Sequence, residues 1–180
     1  MPLEIGIVAP STAEAVQQAE ALGVDSLWVG GHLASPQRSP EPMVWLARLV
    51  EQAQRAVVGT ATLVLPWYAP AIVAKQLADL DRASGGRLVV GVGAGGEYGD
   101  DFTAAGVPIG ERFSRLDESI GLLRRFWSAE PVHHDGRHFR YDGIRIQPSP
   151  ARRIAPTFRP VTTIGGPPGR AGGGCMRMPS

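Results

Sequence analysis

Ala74-Lys-Gln-Leu-Ala-Asp-Leu-Asp-Arg-Ala-Ser-Gly-Gly-Arg-Leu-Val-Val-Gly-Val-Gly-Ala-Gly-Gly-Glu-Tyr98 is the stretch that decides how this 180-residue chain is read. Its first part has the composition of a helix, and Gly85-Gly86 stops it. Leu88 to Val92 is an apolar run of the kind expected for a strand covered on both faces. A glycine-rich turn, Gly93-Ala-Gly-Gly96, follows at the strand's carboxyl end. In α/β proteins that end is where ligands bind, because loops converge there on a rigid sheet. Five glycines lie within residues 91–100, and backbone without Cβ atoms lets a flat ligand approach closely. A tight turn with no ligand is the plainer reading of the same glycines.

The same unit recurs upstream. Residues 3–9 read as a first strand, and Ser11 with Glu14 spells a capping box for a helix starting at about Thr12. Val16, Ala19 and Leu22 share one face of that helix, and Gly23 ends it. Ser26 to Gly30 is a second strand running into Gly31-His32. After a proline-rich loop, a helix over about 43–54 is expected to bury Val44, Leu46, Ala47 and Val50. Ala56 to Leu65 is a third strand, and Pro70 opens the helix that leads into the fourth. Four βα units with short connections imply a parallel sheet or a barrel.

Downstream the pattern changes. Residues 98–110 read as a loop, and 111–129 as an amphipathic helix carrying Phe113, Leu116, Ile120, Leu123 and Trp127. Two short polar strands then flank Asp135-Gly136, a strong hairpin signal, and Ile144 to Pro148 reads as a further strand. Residues 1–150 hold 13 basic and 17 acidic residues, a net charge of −4, whereas 151–180 hold five arginines, no acid, six glycines and five prolines. The chain therefore divides into 1–150, one folded unit, and 151–180, a Gly/Pro/Arg-rich tail read as irregular or disordered. Such a tail is also what a GC-rich gene yields out of frame.

Composition is that of an ordinary globular domain, 43% hydrophobic and 19% charged, with a net charge of +1. That balance gives no reason to expect nucleic acid or an anionic membrane as partner. No apolar stretch approaches the roughly 18 residues of a membrane span, and the N-terminus lacks a signal-peptide pattern. The single cysteine, Cys175, fits a reducing cytoplasm.

Gly91-Val-Gly93-Ala-Gly-Gly96 also fits the G-x-G-x-x-G spelling of a dinucleotide loop. That motif requires a helix opening directly from the loop and an acidic residue ending the next strand about 20 residues on. Here no helix is expected before about Glu111, Asp117 falls inside a helix, and three βα units precede the loop. The dinucleotide reading fails on each point. Of His133, His134 and His138, the last two flank a turn and could approach each other, but no third ligand sits at zinc-like spacing, so no metal site is assigned. Trp28, Trp45, Phe113, Phe126 and Trp127 are read as packing residues.

Several separated segments together resemble the luciferase-like monooxygenase family of flavin- or F420-dependent oxidoreductases. They are Leu27-Trp-Val-Gly-Gly-His-Leu33, Gly59-Thr-Ala-Thr-Leu-Val-Leu65, 70–81, 84–96, Gly106-Val-Pro-Ile-Gly-Glu-Arg112, Arg115-Leu-Asp-Glu118 and Phe126-Trp-Ser-Ala-Glu-Pro131. The resemblance covers about residues 4–150 in order, the N-terminal part of the family's length. It implies a partial TIM (β/α)8 barrel, made of the first four βα units plus a helix and β-hairpin insertion. It further implies F420 or FMN as cofactor and a small organic molecule as substrate. His32 matches a position that in some F420-dependent relatives reaches the redox ring, which makes it the catalytic candidate; capping its strand is the alternative role. Gly31 stands where many relatives carry Asp or Glu. Ala61-Thr62 matches a bulge with a non-proline cis peptide that backs the ring. Gly93, Gly95 and Gly96 would line the cofactor's face, with Glu97 and Tyr98 at the rim. Some relatives place a catalytic Glu where this chain has Gly96, so that role is not transferred to Glu97. Relatives anchor the cofactor phosphate mainly through their second half, so weak retention is expected here. The competing expectation is a non-catalytic half-barrel that forms a homodimer through open sheet edges.

Overall fold

In the computed structural model, which describes residues 4–151, the four expected βα units form one parallel sheet in the order β1-β2-β3-β4. The elements are β1 (Gly6–Val8), α1 (Ala13–Ala21), β2 (Ser26–Val29), α2 (Pro42–Gln52), β3 (Val57–Val64), α3 (Pro70–Ala83) and β4 (Leu88–Gly93). Helix starts follow local chemistry. The Thr12 hydroxyl accepts the Ala15 amide at 3.3 Å, the Glu41 carboxylate accepts the Val44 amide at 2.7 Å, and Pro42 and Pro70 occupy first turns.

Strand alternation splits the sheet into two faces. Leu27, Val29, Val58, Leu88 and Val90 are buried with Val16, Leu46, Leu49, Val73 and Leu77 of the helices. The other face, which a closed barrel turns inward, is built around Trp28. A Cβ on Gly6 would stand 2.7 Å from Trp28 Nε1, and one on Gly59 would stand 2.7 Å from its Cζ3. The indole therefore lies over both neighbouring strands, with Nε1 donating to Ser26 Oγ at 2.9 Å.

Several boundaries differ from the sequence expectation. Leu22 lies past the end of α1 and is exposed. Helix α2 buries the seam Met43, Leu46, Leu49 and Val50, leaving Val44 and Ala47 outside. Residues 98–110 are not all loop: α4 (Gly99–Ala104) forms there. The following α5 (Arg112–Phe126) buries Ser119, Leu122, Leu123 and Phe126, while Phe113 is exposed. Trp127, just beyond it, donates from Nε1 to the Ala74 carbonyl at 3.0 Å.

The hairpin exists as β5 (Val132–Asp135) and β6 (Arg140–Ile144), antiparallel. Its turn is longer than Asp135-Gly136, since Asp135 pairs with Arg140 and Gly136 donates to the Phe139 carbonyl. Glu118 of α5 explains this. Its carboxylate accepts from His134 Nε2 at 2.8 Å and from the amides of His138 and Phe139 at 3.0 and 3.1 Å, drawing the turn onto the helix. His138 is held separately by Ser114, Nε2 to Oγ at 2.8 Å. No group of three metal-ligating side chains is placed to hold an ion among the described residues. Ile144 ends β6, and no strand spans 144–148. Beyond Ala151 the tail lies outside the described residues.

A buried acid fastens the first helix to the loop that leads into the third strand. Glu20, 5% exposed, accepts the amides of Gln54, Arg55 and Ala56. Burial pushes its carboxyl up, but the amides of Ala56, Arg55 and Gln54 and the Arg55 charge together hold it below the usual range. The lowered folded value means this stabilisation is present above the unfolded glutamate range and is lost as pH falls through the folded value. Glu20→Ala should cost about 3 kcal/mol in urea unfolding near neutral pH, because buried amides lose their acceptor. The gap between the two proteins should narrow on acidification below about pH 4.

Candidate functional site

The carboxyl ends of β2, β3 and β4 are in direct contact. A Cβ on Gly30, just past β2, would lie 3.1 Å from the Ala61 carbonyl oxygen, and one on Gly93 would lie 2.8 Å from Thr62 Oγ1. Between them the Ala61–Thr62 peptide is cis, and the pairing of β3 with β4 shifts register between Thr60 and Leu63. Thr60, fully buried, donates from Oγ1 to the Gly91 carbonyl at 2.8 Å and so ties the two strands at the irregularity. Gly30, Ala61, Thr62 and Gly93 thus adjoin one another, and Gly31 follows Gly30 in the chain.

The glycines there answer first to the chain's own packing. A Cβ on Gly31 would fall 2.0 Å from the Pro40 carbonyl oxygen, and one on Gly95 would fall 2.6 Å from Val64 Cγ1. Gly95 and Gly96 have φ of +66° and +115°, backbone that other residues rarely adopt. At Gly31, Gly93 and Gly95 the absent side chain would point into protein. The expectation that missing Cβ atoms clear a path for a ligand therefore does not account for these three. What the turn does offer is exposure, since Gly95 and Gly96 are both open to solvent.

His32 is held on three sides. Its amide donates to Ser39 Oγ at 2.9 Å, its Nδ1 lies 2.8 Å from Asp101 Oδ2, and the Tyr98 ring meets it edge-on with centroids 4.9 Å apart. Asp101 in α4 is 2% exposed, and its Oδ1 accepts the amides of Leu33 and Ala34 at 2.8 and 2.6 Å. Burial pushes this carboxyl up, but the Ala34 amide, the His32 ring and the Leu33 amide hold it below the usual range. Tyr98 is pushed up by its hydrogen bond to Glu97 and that carboxylate's charge.

Sequence reasoning did not single out Asp101. It sits 69 residues from His32, in a segment read as loop. The available signal was Asp100-Asp101 ahead of Phe102 and Gly106, an acidic first turn and a glycine stop. The same helix removes one ground offered against a dinucleotide loop, since α4 opens three residues after Gly96. The others stand: the loop follows the fourth strand, and Asp117 lies within α5. Glu41 and Tyr68 were also missed; Tyr68 donates to Glu41 Oε1 at 2.5 Å and joins the loops after β2 and β3. Burial, the bond to Glu41 and that carboxylate's charge raise the Tyr68 hydroxyl well above its ordinary range.

The residues at this pole fit a flat polar-edged ligand. The strip Ala61, Thr62 and Gly93–Gly96 carries nothing bulkier than threonine. Trp67 Nε1 and Arg112 Nε are buried donors without a hydrogen-bond partner among the described residues, and Arg112 adjoins Gly96.

Residues 4–168 match the family model described as luciferase-like monooxygenase. Similar curated proteins include F420-dependent glucose-6-phosphate dehydrogenases from Amycolatopsis mediterranei and Intrasporangium calvum. The first is 32% identical over 172 residues, 87% of this chain and 50% of that one. The second is 34% identical over 173 residues, with the same shares. Among solved structures, monooxygenase RslO1 from Streptomyces bottropensis superimposes with a TM-score of 0.73 at 28% identity, covering 88% of this chain and 52% of that one. An F420-dependent secondary alcohol dehydrogenase in complex with an F420-acetone adduct gives 0.72 at 25% identity, covering 86% and 51%. The chain spans about half the length of the curated relatives it matches. The family match also runs past Pro150, where the resemblance was expected to end, and takes in the sequence Val161-Thr-Thr-Ile-Gly-Gly166.

Gly31→Ala tests the packing account. The added methyl meets backbone at Pro40, so the loop carrying Ser39 must move and release the His32 amide. A loss of about 2 kcal/mol in thermal or urea unfolding is expected, as for other overpacked sites, together with displaced His32 ring resonances.

Proposed function

The chain belongs to the luciferase-like monooxygenase family, and we propose that it carries the ring-facing half of a site for a flat redox cofactor in an oxidoreductase acting on a small organic substrate. The observation that supports this reading is the contact of Gly30 with Ala61 and of Gly93 with Thr62, at the pole of a parallel sheet from which Gly31-His32 and Gly95-Gly96 also leave. Of F420 and FMN, F420 is better supported, because curated relatives over 30% identical are named as F420-dependent. Bound there, such a cofactor supplies the hydride or electron chemistry.

In this reading the chain's own residues position and shield. Ala61, Thr62 and Gly93–Gly96 form the floor, and Gly31, His32 and Tyr98 stand at its edge. His32 exchanges a proton with the substrate's reacting oxygen, a role suited to an imidazole near neutral pH. Support for an alcohol carbon as the reacting centre comes from relatives named as dehydrogenases of glucose-6-phosphate and of secondary alcohols. The single cysteine favours a cytoplasmic setting, and no helix of the described residues is long and apolar enough to cross a membrane.

A second reading, a half-barrel that pairs with another copy, is favoured by one observation. Among the described residues, strands β1 and β4 each have a single neighbour, and Val8 in β1 is 74% exposed.

Titrating the purified chain with F420 and FMN separately should give saturable, weak quenching of ring fluorescence, stronger for F420. Flat traces up to about 1 mM, where a binding free energy of only about −4 kcal/mol still registers, would sink the cofactor reading. A stable dimer on size exclusion together with flat traces favours the second.

A further inference from the structure

An ionised carboxylate only accepts hydrogen bonds, and a neutral imidazole carries one N–H and one bare nitrogen. Both oxygens of Asp101 are committed: Oδ1 to the Leu33 and Ala34 amides, Oδ2 to His32 Nδ1 at 2.8 Å. Three other groups surround the imidazole. Ser39 binds only the backbone amide, and Tyr98 offers a ring edge. Glu97 Oε2 lies 4.0 Å from Nε2 and is 70% exposed, too far for a hydrogen bond that would draw the proton to that nitrogen.

Resting on the reading that puts His32 at the reacting edge, we propose that Asp101 is its positioning residue, fixing the proton on Nδ1 so that Nε2 offers a bare lone pair at the strand tips. The acceptor needed to take a proton from a substrate hydroxyl is then preset by α4, not by the residue preceding the histidine. Gly31, pressed against Pro40, leaves no room for a carboxylate there.

Asp101→Asn keeps the shape and reverses the logic. The amides of Leu33 and Ala34 claim the single carboxamide oxygen, so the NH2 group faces His32 Nδ1. The ring must then accept at Nδ1 and carry its proton on Nε2, as when an orienting Asp becomes Asn in a catalytic triad. Long-range proton–nitrogen correlation spectra of the full chain, with histidine labelled and the His32 signal assigned by its loss in His32→Gln, read this directly. The expected result is a protonated Nδ1 and bare Nε2 in the unmodified chain, inverted in D101N. An unmodified chain with the proton on Nε2, or a D101N spectrum with the tautomer unchanged, would overturn the proposal. If D101N does not fold, the unmodified spectrum decides alone. No cofactor is needed, so a failed F420 titration and a failed tautomer test are separate outcomes.

Discussion

Parallel strands share one direction, so the carboxyl ends of all four, and every loop leaving them, lie at the same pole. Side chains far apart in sequence are thereby brought within reach without any special contact between them. His32, Thr62 and Gly93 come from the carboxyl-terminal parts of three successive strands or the loop just beyond, and the parallel direction of the strands puts them at one pole. The chemistry that can be built there is then a matter of what each loop offers, while the helices on the outer face keep the strands in place.

Connecting segments across the fold are held by one device used three times. Glu20 in α1 takes the amides of 54–56, Asp101 in α4 takes those of 33 and 34, and Glu118 in α5 takes those of 138 and 139. Each carboxylate is largely removed from water and finds its donors in a distant backbone segment, which is how a buried acid stays charged. Each is lowered in pKa by the same kind of contact, despite its burial. These clasps bind loops that have little apolar surface of their own.

Much of the sheet was legible because burial on one side and turn glycines at the ends leave a strong imprint on sequence: all four strands and the helices between them were found. Helix faces were less legible. In α2 the apolar positions between 43 and 50 admit more than one face, and the fold buries Met43 and Leu49 in place of Val44 and Ala47, which periodicity alone does not resolve. The short helix at Gly99 was missed because six residues make no full amphipathic repeat. Of the strand-end residues named from family resemblance, Thr62 and Gly93 touch, and the reason for the glycines lay in Pro40, Val64 and Thr62. No local pattern announces contacts across so many residues. Asp101 illustrates the general difficulty, for a polar pair in a presumed loop looks like solvent-facing chain until the tertiary fold buries it.

Trp28 has a further consequence. In a closed barrel, the lumen is filled by layers of side chains drawn from alternate strands around the whole circumference. Here a single indole, wedged over two glycines on neighbouring strands, furnishes the concave side of the sheet from within the segment itself. Any segment packed on that face would have to be contoured to the ring.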